Sequence, residues 1–207
     1  MRTKSMIVAL AAILCVGLPG TSKSGMLAGL EITDDGVKSF YLAVGDFYNV
    51  SDEQVVVVKK RNVPDDEIPV VFFLAGRARV APDVLIGLRL GGSSWMEICM
   101  KYGITADVFY VPVAATPGPP YGKAYGHYKN KDKSKWKDIR LSDADIVNFV
   151  NLKFVSEHQG CSPDQVIQAR SGGRGFVSIS HDIETKKSQA KSDSDGKSKS
   201  SKGKKKQ

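Results

Sequence analysis

Few residues of this chain combine types and spacings that could do chemistry, and each has a structural explanation standing against it. His158 and Cys161 lie three residues apart, the spacing of half a metal site, and His181-Asp182 is a second donor pair. A complete set would need a further pair of ligands, and only His127 remains. Serine hydrolysis would need a serine, a histidine and an acid brought together, and no serine sits in a nucleophile-elbow pattern. SGGRGF, beginning at Ser171, puts glycines ahead of a helix start, where backbone N–H groups can cradle an anion and Arg174 can add charge. The same glycines serve equally as a turn. No catalytic residue, metal set or cofactor is therefore expected, and the chain reads as a non-enzymatic binding or structural protein, an enzyme of another kind being an alternative.

Two segments offer binding chemistry instead. Between Pro112 and Leu141 the composition turns to Pro, Gly and Lys, which predicts a long irregular loop. Within it Tyr121, Tyr125 and Tyr128 alternate with Lys123, His127 and Lys129, and aromatic faces beside cations can stack bases or sugars. This makes Tyr121, Lys123, Tyr125, His127 and Tyr128 a candidate ligand-binding loop; the competing role for the tyrosines is to fasten the loop onto the helices. The second segment is the C-terminal tail, 186–207, with nine lysines against Asp193 and Asp195, a net charge of +7. Its Lys197, Lys199, Lys202, Lys204, Lys205 and Lys206 suit a membrane surface or an anionic envelope polymer through screened, salt-sensitive electrostatics. The Ser, Lys, Gly and Asp content predicts disorder there.

The elements that must position these residues are helical and self-similar. Placing Ser51 over Ala81 over Ser162 aligns three segments without a gap. Glu53, Asp83 and Asp164 share an acidic column, Val55, Leu85 and Val166 an apolar one, and Lys59, Arg89 and Arg170 a basic one. Ile68, Ile98 and Ile179 coincide after the turn, and Trp95 matches Phe176. Such repetition marks a helical unit that buries its apolar face against its neighbours. The basic column could line an acidic-ligand surface, or it could complement helix C-termini, where a cation is favoured. Ala81–Ile104 in particular resembles the DNA-reading helix-turn-helix, which implies nucleic acid as an alternative partner. Against this, its second helix offers Trp95, Ile98, Cys99 and Tyr102 as a core stripe and Lys101 as its one exposed cation.

Capping signals fix the remaining boundaries. Ser51 with Gln54, Ser94 with Glu97 and Ser162 with Gln165 have the capping-box spacing, and Ser142 with Asp145 starts another helix. The run Val55–Val58 is β-branched and would alone argue for a strand, but its alignment with the other two copies predicts a helix. The expected fold is all-α, with seven or eight helices in three related helix-turn-helix units.

Residues 1–24 have the three parts of a secretory signal: Arg2 and Lys4, the apolar run Met6–Leu18, and small residues at Gly20, Ser22 and Ser24. This predicts export to the periplasm or beyond, with an uncleaved membrane anchor as the alternative. The body, 25–185, carries a net charge of −2 once the two basic ends are set aside. Cys99 and Cys161 remain in it, either paired or free.

Overall fold

Side-chain caps decide where most of the helices begin. The computed structural model describes residues 34–202, with side chains through Ser192, so the expected signal over 1–24 lies outside the described residues. Helix α1 (Asp35–Tyr48) starts at Asp34, whose carboxylate accepts from Gly36 N at 2.8 Å, and stops at Asn49 in the left-handed region. Four of the following helices open on a complete capping box: α2 (Asp52–Lys60), α5 (Trp95–Lys101), α7 (Asp143–Gln159) and α8 (Pro163–Ser171). In each, the serine hydroxyl and the acid or amide three residues on satisfy end amides reciprocally. Helices α3 (Ile68–Ala78) and α4 (Pro82–Leu90) use proline in the first turn, where no N–H is missed. Helix α6 (Gly122–Lys129) and the long α9 (Phe176–Lys202) complete an all-helical architecture, with short 3-10 stretches at 65–67, 106–109 and 133–138 and no strand among the described residues.

The run of four valines is helical because the core takes three of them. Val55, Val56 and Val58 are buried and only Val57 faces out, so packing overrides the β-branched preference. Helices α2, α4 and α8 are each nine residues long and occupy identical columns of the sequence alignment. The residue after each has nearly the same backbone: Arg61, Gly91 and Gly172 have φ of −84, −75 and −76°. The next has a positive φ in all three, 58° at Asn62, 97° at Gly92 and 82° at Gly173, a region that asparagine and glycine enter most cheaply.

The basic column is spent within these turns. Arg89 Nη1 donates to Ser93 O, and Arg170 Nη1 donates to Arg174 O, the equivalent carbonyl. Each guanidinium also lies over the first aromatic of the next helix, Trp95 at 5.1 Å and Phe176 at 4.7 Å. Lys59 pairs with Asp65. Carboxylates from elsewhere in the fold cap the same helix starts: Asp143 accepts from Trp95 N at 2.7 Å, and Asp66 accepts the Phe176 N–H. Burial pushes the Asp66 carboxyl above the ordinary range, and Arg170 nearby opposes that shift.

Helix α7 is the hub, packed against α1, α3, α5, α8 and α9. It is buried on most sides, so its polar residues need partners. Asn151 Nδ2 donates to Asp66 O and Val147 O, Asn148 Oδ1 accepts from Arg170 Nε, and Gln159 Nε2 reaches Ser180 Oγ.

Three expectations need correction. The segment 112–141 is not an irregular loop throughout, since α6 and a 3-10 stretch lie inside it. The backbone is helical over 186–202, where composition predicts disorder: every residue from Glu184 to Ser192 is exposed on a continuation of α9, whose start is anchored by buried Phe176 and Ile179. The α-helices number nine among the described residues, α6 being the one that the loop reading left out.

Cys99 and Cys161 are both free thiols. Burial drives the Cys99 thiol up to about 12, whereas Cys161 is half-buried, with Lys187 opposing the upward push of burial. Peptide mapping after maleimide treatment of the native protein at neutral pH should therefore find Cys161 modified and Cys99 modified only after denaturation. Equal labelling of the two would contradict this packing.

Candidate functional site

The tyrosines at 121, 125 and 128 recur at helical spacing, and that spacing turns them all inward. They are 1, 4 and 1% exposed, which leaves no ring face free to stack on a ligand. Tyr125 OH donates to Val111 O and Tyr128 OH to Ala106 O, both at 2.7 Å, and Tyr121 OH reaches Asn148 O at 3.4 Å. Phe149 of α7 supplies the wall they pack on, edge-on to Tyr125 at 5.0 Å and to Tyr128 at 5.7 Å. Burial raises the hydroxyl pKa of all three. Gly122 opens α6 because a Cβ there would meet Pro117 O at 2.9 Å. These contacts fasten the segment to the hub. Of the other two predicted loop residues, Lys123 is exposed and His127 half-buried.

Fastening the tyrosines builds a cleft beside them. Tyr110, at the end of the 106–109 turn, and Trp136, within the 133–138 turn, meet at 4.6 Å between ring centroids, and Tyr128 lies edge-on to Trp136 at 5.1 Å. Trp136 is held rigidly, since its Nε1 donates to both Tyr128 O and Lys131 O. Around these rings opens a cleft of about 480 Å³, lined also by Val113–Thr116 and by Lys129, Lys131, Asp132 and Lys133. Lys133 Nζ stands 5.8 Å over the Trp136 ring.

The charge of this region is uneven. From Lys123 to Arg140 there are six lysines and one arginine against Asp132 and Asp138, a local net charge of +5 within a body whose total is −2. All six lysines are exposed, and none forms an ion pair among the described residues. Arg61, Arg89 and Arg174, by contrast, are each taken up by carboxylates of the helical units.

The other sequence candidates do not converge. His158 Nε2 stands 3.7 Å from Asp46 on α1 and its ring packs on Phe47 and Phe154. Cys161 lies past the end of α7 on another groove, and His181 faces Gly36 of α1. No group of three His, Cys, Asp or Glu side chains among the described residues could hold a metal ion. The glycines of the Ser171 segment form the turn, and Arg174 pairs with Asp182 at 2.5 Å. On α5 the outward residues are Glu97, Met100 and Lys101. Lys197, Lys199 and Lys202 sit on helical backbone beyond the described side chains, and Lys204, Lys205 and Lys206 lie outside the described residues. No helix among the described residues is long and apolar enough to cross a membrane.

Sequence reasoning named Tyr125 and Tyr128, whose edges contribute to the cleft, and missed Tyr110 and Trp136, the other two rings that line it. The signal available was the alternation of Lys129, Lys131, Lys133, Lys135 and Lys137 around a lone tryptophan, hidden when charge was summed over the whole body. Comparison with protein-family models, with curated proteins and with solved structures returns no match.

Proposed function

We propose that this chain is an exported, non-enzymatic binding protein that holds an anionic polymer of the cell envelope. Its unpaired lysine face at 123–137 is the principal contact and the lysines of 186–207 are a secondary one. The observation that carries this reading is the run of six exposed lysines without ion-pair partners among the described residues, whereas Arg61, Arg89 and Arg174 are each paired with carboxylates. Six lysines and Arg140 against Asp132 and Asp138 leave this surface a net charge of +5, which retains an attraction for polyanions. The helices act as the scaffold, and α2, α4 and α8 with their turns are three copies of one packing unit, as their equal lengths and matching turn dihedrals support. Export rests on the signal pattern of residues 1–24.

Each lysine near an anionic surface contributes about 1 kcal/mol. Changing Lys129, Lys131 and Lys133 together to glutamine should therefore weaken binding to inorganic polyphosphate on the order of 100-fold at low salt. Deletion of 186–207 should weaken it less, and raising the ionic strength should abolish it. Titrations of the full chain and of both variants check this ranking. Undiminished binding in the triple variant would sink the lysine face as the contact.

A further inference from the structure

We propose that the cleft lined by Trp136 and Val113–Thr116 is a subsite for one ring of an acidic polysaccharide, a uronate-type sugar whose carboxylate is met by the lysines of that cleft. This deepens the polyanion reading above and rests on it. Three features select a sugar from among anionic polymers. The first is a rigid aromatic platform: Trp136 is fixed by two hydrogen bonds from Nε1 and backed by Tyr110 at 4.6 Å, so little side-chain entropy is lost when a ring lies against it. The second is the volume, about 480 Å³, which is room enough for a sugar ring.

The third is Asp132. It lines the cleft among the lysines, its side chain makes no capping hydrogen bond, and it has no ion-pair partner among the described residues. A carboxylate at that place repels a polymer recognised by charge alone, and more so the phosphate backbone of a single-stranded nucleic acid. It is, however, a strong acceptor for sugar hydroxyls, which donate in pairs. Lysines and an acid lining one aromatic cleft thus suit a ligand that carries both anionic groups and hydroxyl donors, and a uronate ring carries both.

Tryptophan emission reads the site directly, because Trp95 is fully buried and Trp136 is not. The full chain is titrated with three probes: a short oligogalacturonate, inorganic polyphosphate and a single-stranded oligonucleotide. Oligogalacturonate should change Trp136 emission and shield it from iodide quenching, while polyphosphate binds without either effect. Asp132→Ala should weaken oligogalacturonate about tenfold, yet leave polyphosphate equal or tighter, since it removes a repelling charge. That opposition of sign is independent of any loss of fold, which would weaken both. If Asp132→Ala tightens both probes alike, or if oligogalacturonate binds without touching Trp136, the subsite is absent and the charge reading survives. A larger emission change with the oligonucleotide than with the uronide overturns the sugar assignment in favour of base stacking. If none of the three binds at low salt, the polyanion reading itself fails.

Discussion

Phe149→Ala is expected to lower the free energy of unfolding by about 3–5 kcal/mol, the cost of a large cavity in a well-packed aromatic core. The ring is fully buried and is shared by Tyr121, Tyr125 and Tyr128, at 6.3, 5.0 and 5.7 Å between centroids. Its loss removes the wall on which α6 docks, and the tyrosines cannot close the gap without breaking their hydroxyl bonds to Val111 O and Ala106 O. The effect should therefore be regional as well as global. Hydrogen exchange at 121–129 should rise more than at α8, and the near-ultraviolet dichroism of the tyrosines should fall. Leu152→Ala, on the same helix and also fully buried, is the control: it should cost about 2–5 kcal/mol without selective loosening of α6. A loss below about 1 kcal/mol for Phe149→Ala would mean that the segment is not anchored there.

What was legible in the sequence follows from which signals are local. A capping box is complete within four residues, so Ser51, Ser94, Ser142 and Ser162 place four helix starts without reference to the rest of the chain. The valine run shows the limit of propensity, because local preference and core demand point opposite ways there and the core decides. Repetition settled the conflict, since Val55, Leu85 and Val166 occupy one column and all three are buried.

The cleft was legible only in part, and for a physical reason. Helical spacing of Tyr121, Tyr125 and Tyr128 was present in the sequence, but intervening Gly and Lys dilute the apolar face below what periodicity detects. Whether a tyrosine presents its ring or its hydroxyl depends on acceptors at Ala106 and Val111, 22 and 14 residues away, which no local pattern contains. The meeting of Tyr110 with Trp136 depends on the same long-range closure. Composition likewise predicts disorder from residue 186 by weighing polar content alone, whereas a helix already nucleated at Phe176 adds further turns at little cost.

Arg89→Met should destabilise the fold by about 2–4 kcal/mol, more than the loss of either other cation in its column. Arg89 makes a fork to Glu67, Nε to Oε2 at 3.0 Å and Nη2 to Oε1 at 2.8 Å, and reaches Asp143 Oδ2 at 2.5 Å with Nη1. The hydrogen bonds that Arg89 donates to Glu67 are the main cause that raises its pKa further, so the guanidinium is a permanent charge. Glu67 and Asp143 are 16 and 32% exposed, buried enough that removing the cation leaves two poorly solvated carboxylates facing each other's elements. Asp143 also caps Trp95 N and opens α7, so one residue joins the starts of α5 and α7 to the end of α4. Lys59 and Asp65, each about one third exposed, form a single pair, and Lys59→Met should cost no more than about 1 kcal/mol. Urea titrations rank the two. The cause is separated from simple loss of packing by the double variant Arg89→Met with Glu67→Gln. If stranded charge dominates, the second change should restore part of the stability; if lost stacking on Trp95 dominates, it should restore none.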